Sequence, residues 1–177
     1  IGTGILLAYN QMSNLETGLL ALRGGQAAQF SELGIPQGIL RIGLVLAGQG
    51  GALPEIARPV RLGLGAPLGS GQQWQSWIHL KDLAGMMRFC LEERLEGIYN
   101  AVAPNPVTNQ KLTREVAAVL KRPLWLPKVP AWALRMVLGK MSQLLLASQR
   151  VSSEKIESEG FAFQYKNVQR ALADLLS

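Results

Sequence analysis

The chain predicts an α/β fold: a parallel sheet flanked by helices, followed by a small C-terminal α-rich lobe. Two observations carry this. The first is Gly38-Ile-Leu-Arg-Ile-Gly-Leu-Val-Leu46, a nearly unbroken apolar run rich in branched residues. Strands buried on both faces read this way, and they belong to parallel sheets covered by helices. The second is the alternation that follows. Short apolar runs closed by glycine or proline take turns with segments whose apolar residues recur every three or four positions, the pattern of strand–helix–strand units. Of 177 residues, 48% are apolar and 17% charged, which supplies a core of domain size and speaks against disorder.

Taken in order, residues 1–30 carry the weakest pattern. Ile5-Leu-Leu-Ala8 suits a strand or the start of a helix. Leu15 to Phe30 has helical stretches broken by Gly18, Gly24 and Gly25, each costing about 1 kcal/mol against alanine inside a helix. The strand Gly38–Leu46 follows, then a turn at 48–51. Leu53 to Leu64 reads as a helix after Pro54, with Pro59 kinking or ending it. Gly63, Gly65, Gly69 and Gly71 form a loop, and Trp74 to Leu80 a short strand. Asp82 is placed to cap the next helix, its carboxylate accepting from the free N–H groups of the first turn. Leu83, Met86, Met87, Cys90 and Leu91 then fall at helical spacing. Ile98 to Ala103 is a strand closed by Pro104-Asn-Pro106. Thr108 caps a helix bearing Leu112, Val116, Val119 and Leu120 and ended by Pro123. Pro130 opens a helix through Leu138, stopped at Gly139. Met141 to Arg150, Ser153 to Glu159 and Asn167 to Leu176 are three more helical segments. The division between an α/β domain, residues 1–122, and a helical lobe, residues 123–177, falls at Pro123.

A net charge of +6 points to an acidic partner: a nucleotide phosphate, a nucleic acid or an anionic membrane surface. The bases read as scattered, with only Lys121-Arg122 and the pair Arg58 and Arg61 close together, and no nucleic-acid-binding signature accompanies them. A nucleic-acid role therefore trails. No apolar run is long enough to span a bilayer. The single cysteine, Cys90, forms no internal disulfide and suits a reducing compartment, the cytoplasm or an organelle stroma or matrix. One histidine and one cysteine leave no metal-ligand cluster. The opening Ile-Gly-Thr-Gly has no initiator Met and no signal-peptide pattern, and reads as a cut or incomplete start.

The richest stretch is Gly69-Ser-Gly-Gln-Gln-Trp-Gln-Ser-Trp-Ile-His-Leu-Lys-Asp-Leu83, a glycine loop, a strand and a helix start around the only histidine. With Leu40–Leu46, Gly50-Gly-Ala-Leu53, Asn100-Ala-Val-Ala-Pro-Asn-Pro-Val-Thr-Asn109, Leu146-Ala-Ser-Gln-Arg-Val151 and Gly160-Phe-Ala-Phe-Gln-Tyr165, it resembles a known family. From about Leu33 onward, the chain is similar to the C-terminal part of the atypical extended short-chain dehydrogenases/reductases of the nucleoside-diphosphate-sugar epimerase type. The last part resembles their C-terminal domain of unknown function. The resemblance implies a partial Rossmann-type parallel sheet, NADP or NAD as cofactor, and a sugar nucleotide or similar small molecule as substrate.

Departures from the family limit what carries over. The Gly-x-x-Gly-x-x-Gly fingerprint, whose backbone cradles the pyrophosphate, is missing or unrecognisable. Ile1-Gly2-Thr3 fits either its end or the family's mid-chain strand. The Tyr of a Tyr-x-x-x-Lys pair has no match, since Ser13 lies four residues after Tyr9; the family's Cys-x-x-Trp-Glu corresponds to Leu22-Arg-Gly-Gly-Gln26. Catalytic and cofactor-binding residues are therefore unassigned. The chain alone is expected to bind NAD(P) weakly or not at all and to lack independent catalysis. The alternative is a non-catalytic interaction or assembly subunit that retains the scaffold. Candidate substrate contacts are Arg41, read as facing an anion from a strand, and Gln72, Trp77, His79 and Asn105, read as near strand ends. Structural readings stand beside these: a salt bridge for Arg41, a crossover loop for Gln72, a hydrogen-bonded strand end for His79 and a turn for Asn105, while Trp125 and Trp132 read as core or lobe packing. The strand Gly38–Leu46 calls for neighbours on both edges, and little precedes it, so a homo-oligomer or partner chain is expected at an open edge.

Overall fold

The computed structural model describes residues 4–9, 37–50, 52–130, 132, 136 and 148–176. The readings of Leu15 to Phe30 and most of those for 130–139 and 141–150 fall outside these residues. The described elements, in order, are β1 (Gly4–Tyr9), β2 (Gln37–Ile42), β3 (Leu44–Leu46), α1 (Ala52–Arg61), β4 (Trp74–Gln75) and β5 (Trp77–His79). Then come α2 (Leu80–Glu92), β6 (Gly97–Ala101), β7 (Val107–Thr108), α3 (Asn109–Val119), α4 (Glu154–Ser158) and α5 (Val168–Leu176).

A three-stranded parallel sheet has the order β1-β2-β6, and Arg41 is level with Ala8 on one side and Asn100 on the other. Ile5–Ala8 is thus strand, and β2 is paired along both edges. This corrects the expectation of an open edge at Gly38–Leu46: β1 closes it, and among the described residues the outer strands of the sheet are β1 and β6.

The apolar run Gly38–Leu46 is not one strand. It breaks at Gly43 and serves two sheets, because β3 leaves β6 and pairs in parallel with β5. The backbone changes partner there: Gly43 N donates to Ala101 O at 3.2 Å, and Leu44 N to Ser76 O at 2.8 Å. A Cβ on residue 43 would lie 2.4 Å from that same Ser76 oxygen, so only glycine admits the close approach. β5 then passes the ladder on, Trp77 O accepting from Ala103 N at 2.6 Å.

Trp74–Leu80 also divides. β4 pairs antiparallel with β7, β5 pairs with β3, and Leu80 already belongs to α2. Ser76 marks the break; its Oγ donates to Gln149 O and accepts from Val151 N. Residues 148–150, read as the end of a helix, are not helical and run beside β4, with Gln149 N donating to Trp74 O.

The helices keep closer to their sequence signals. α1 passes two residues beyond Pro59, whose carbonyl accepts from Leu64 N at 2.8 Å, and the turn after it closes at Gly63 with φ +74°. Thr108 caps α3, its hydroxyl accepting from Lys111 N at 3.3 Å. Leu91, although at helical spacing in α2, faces solvent.

The core is divided by the pleat of β5, whose successive side chains point to opposite faces. Ile78 joins Leu40, Tyr99, Leu83, Met86 and Ile156 on one side; Trp77 joins Leu46, Val60, Leu112, Val116 and Leu172 on the other. Each fully buried Leu or Ile contributes about 1.5–3 kcal/mol. The side of the β1-β2-β6 sheet bearing Arg41 is more open: Arg41 is exposed and Ile98 is 42% exposed.

Candidate functional site

The carboxyl ends of β5 and β6 meet under α5. His79 ends β5 and caps α2, its Nδ1 accepting from Lys81 N at 3.0 Å. The cap is therefore His79 and not Asp82. Asp82 lies one turn further in, only 3% exposed, and its two oxygens accept from Gln164 N at 2.8 Å and Tyr165 N at 2.9 Å. Its carboxylate joins α2 to the segment before α5, because the free N–H groups nearest to it belong to that segment.

The His79 ring is buried and stacks on Tyr165, with centroids 3.9 Å apart and planes 14° apart. Because Nδ1 accepts, the proton of the neutral ring is assigned to Nε2. Nε2 lies 3.3 Å from Asp174 Oδ2 on α5, yet the approach lacks hydrogen-bond geometry and Nε2 is left without a hydrogen-bond partner. Burial lowers the imidazole pKa below its ordinary 6.5, against the opposing pull of Asp174 and Asp82. Lys81 Nζ holds both Asp174 oxygens at 2.9 and 3.0 Å and reaches Tyr165 OH at 3.3 Å. The Lys81 bond keeps the Asp174 carboxyl below its ordinary pKa, and the same bond raises that of Lys81. Lys81, Tyr165 and Asp174 are the members of this cluster that sequence reasoning missed, because the last two lie more than eighty residues beyond His79.

The remaining candidates fall in three places. Trp77 is fully buried, and its Nε1 donates to Asn105 O at 2.9 Å. Asn105 is exposed, and its side-chain amide donates to Lys166 O at 3.0 Å and Asn167 Oδ1 at 3.3 Å. Gln72 is exposed in the glycine loop and donates to Gln110 Oε1 at 3.4 Å. That loop is fastened by Asn109, whose Oδ1 accepts from Leu68 N at 2.8 Å, and by Gln110 N, which donates to Gly71 O at 2.9 Å. Arg41 stands on the other sheet beside Asn100, whose amide donates to Ser152 O at 3.1 Å. The fold thus brings Trp77 and Asn105 into contact, sets His79 two residues along the same strand, and keeps Gln72 and Arg41 apart from them. Exposed amides that can bind hydroxyls, and an exposed guanidinium suited to phosphate, are what these residues offer a ligand. Among the described residues, no three His, Cys, Asp or Glu side chains gather in a way that would hold a metal.

Residues 129–175 match the family model of a domain of unknown function, DUF1731. An epimerase family protein of Staphylococcus aureus (strain MRSA252) is 40% identical over 154 residues, 85% of this chain and 50% of that protein. The chloroplastic homolog of epimerase family protein SDR39U1 in Arabidopsis thaliana is 40% identical over 139 residues, 78% of this chain and 40% of its own length. Among solved structures, human epimerase family protein SDR39U1 (isoform 2) with NADPH superposes with a TM-score of 0.75 at 34% identity, over 80% of this chain and 48% of that one. A nucleoside-diphosphate sugar epimerase from Corynebacterium glutamicum superposes at 0.72 with 27% identity, over 99% of this chain and 34% of that one. The chain spans about half the length of the curated relatives it matches.

Proposed function

We propose that the chain, which is similar to epimerase family proteins over about half their length and matches DUF1731 over residues 129–175, forms the substrate side of an atypical short-chain dehydrogenase/reductase, an NAD(P)-dependent protein acting on a nucleoside-diphosphate sugar. The observation that carries the reading is the junction of parallel strand ends at Trp77, His79 and Asn105, fixed by the Trp77–Asn105 bond and covered by the segment leading into α5. Ligands of open α/β sheets collect at such ends. Within this reading the exposed Asn105 contacts a sugar or ribose hydroxyl, and Gln72 and Arg41, which the fold keeps apart from it, lie outside this contact. The buried Trp77 and His79 act from behind, one fixing the Asn105 loop and the other the start of α2. The human relative solved with NADPH supports NADP as the cofactor, and the Corynebacterium glutamicum epimerase supports the substrate class. No Tyr-x-x-x-Lys pair or Gly-x-x-Gly-x-x-Gly run occurs in the sequence, so we assign no hydride transfer to these residues. Calorimetric titration of the purified chain tests the division of labour. UDP-sugar is expected to bind, and NADPH to bind more weakly than low micromolar. NADPH binding worth about −8 kcal/mol would overturn it.

A second reading, a non-catalytic assembly subunit, is favoured by the outer strand β1 and the exposed Ile98 on the open sheet face. Light scattering behind a sizing column separates the two readings: a monomer that binds UDP-sugar supports the first, an oligomer without such binding the second.

A further inference from the structure

Some of the bases that read as scattered along the chain come together in the fold: among the described residues, Arg61 lies on one of two acid-free stretches and Lys121, Arg122 and Lys128 on the other. No acid lies between Glu55 and Asp82, or between Glu115 and Glu154, and the second interval carries Lys121, Arg122, Lys128, Arg135, Lys140 and Arg150. Those six equal the entire net charge of +6. The two acid-free stretches lie side by side. Val129 N donates to Pro67 O at 2.9 Å, Gly69 N donates to Val129 O at 2.8 Å, and Leu68 and Val129 form a parallel bridge. A Cβ on Gly65 would come 2.9 Å from the Leu124 side chain, so the residues next to Leu64 and Trp125 are in contact.

Both stretches carry large apolar side chains that are not buried. Leu62 is 70% exposed, Leu64 59%, Trp125 79%, Leu126 43%, Trp132 65% and Met136 79%. They are six of the nine exposed large apolar side chains among the described residues, and all six lie on the two acid-free stretches. Arg61, Lys121, Arg122 and Lys128 are exposed beside them. Glu55, the nearest acid on α1, is engaged by Arg58 at 3.5 Å.

We propose that this surface docks on an anionic lipid bilayer, with Trp125, Trp132 and the leucines at headgroup depth and the bases against lipid phosphates. A purely apolar protein partner calls for no acid-free rim of bases, and a nucleic acid calls for no exposed leucines and methionine. The bilayer interface takes both: tryptophan favours headgroup depth, and each base near an anionic leaflet strengthens attachment about fivefold. The attachment lies on the membrane and does not span it; no helix among the described residues is long and apolar enough to cross.

Co-sedimentation of the whole chain with vesicles tests this, one set of phosphatidylcholine alone and one of phosphatidylcholine mixed with phosphatidylglycerol. The protein is expected to bind only the mixed vesicles and to be released by about 0.5 M salt, which shortens screening to a few ångströms. Brominated lipid is expected to quench tryptophan fluorescence. The double variant Trp125→Ser, Trp132→Ser is expected to lose the quenching and most of the binding. Lys121→Glu with Arg122→Glu, whose apolar surface is intact, is expected to weaken binding tenfold or more while keeping the parent melting curve. Absence of binding to the mixed vesicles overturns the proposal, as does equal binding by both double variants. So does a dimer that the tryptophan variant dissociates, since a second copy of the chain would then cover the surface.

Discussion

Asp82 shows how a correctly noticed residue acquires a different task. At the start of α2 it has the chemistry of a helix cap, but His79 takes that place and Asp82 binds two backbone N–H groups more than eighty residues away. A lost cap costs about 1 kcal/mol. Asp82→Ala instead strands the buried Tyr165 N–H and the half-buried Gln164 N–H and is expected to cost about 2–3 kcal/mol, read from urea denaturation; a loss near 1 kcal/mol would restore the cap reading. His79 makes a separate prediction. Its folded pKa lies below 6.5 because the ring is buried, with Asp174, Asp82, Lys81 and Tyr165 facing it. The unfolded chain therefore takes up a proton near pH 6.5 that the folded chain does not. The stability due to the neutral ring is fully present above that pH and is lost as pH falls below it. Asp174, with a lowered pKa, loses its contribution only below its ordinary 3.8. Denaturant midpoints between pH 8 and pH 5 are expected to fall for the parent and to flatten for His79→Gln. The role of His79 as a strand end was legible in the sequence; its partners Tyr165 and Asp174 were not, because no spacing rule links residues so far apart.

At the scale of elements, periodicity located strands and helices but not the points where strands change partner. Gly38–Leu46 reads as one buried strand because both of its halves are buried, β2 in one sheet and β3 in another. The break rests on Gly43, and its cause, the Ser76 carbonyl, belongs to a segment thirty residues on. The nearest atom to such a Cβ is backbone, the Ser76 oxygen at 2.4 Å, and the next is Cγ1 of the buried Val102 at 2.7 Å, a β-branched side chain with little freedom to give way. Gly43→Ala is therefore expected to destabilise by about 1–3 kcal/mol through forced backbone displacement, measured by thermal melting against Gly50→Ala, where nothing lies within 4 Å of the added Cβ. The glycine at 50 has φ +74°, so its own penalty is one of backbone conformation and provides the comparison. Local signals served the helices better. Thr108 and the apolar positions of α3 were readable because a cap and its helix are neighbours in sequence.

Over the whole molecule, the sequence suggests an α/β domain and a separate helical lobe, divided at Pro123. α5 nevertheless contributes Val168, Ala171 and Leu172 to the cluster that encloses Trp77 and Leu46. The compositional shift near Pro123 is visible from sequence; the return of the last helix to the first domain's core is not. A chain lacking residues 168–177 is expected to lose cooperative unfolding and near-ultraviolet dichroism, because one side of Trp77 would face water. A truncated chain that melts like the parent would show that the lobe folds apart from the sheet. The enclosure of Trp77 also has a consequence in time. Leu172 is made 95 residues after Trp77, the difference of 172 and 77, and synthesis proceeds at roughly 5–20 residues per second. The indole therefore waits on the order of five to twenty seconds for its cover, and the nascent chain needs a chaperone's shelter, or a loose collapse of its own, until the last helix leaves the ribosome.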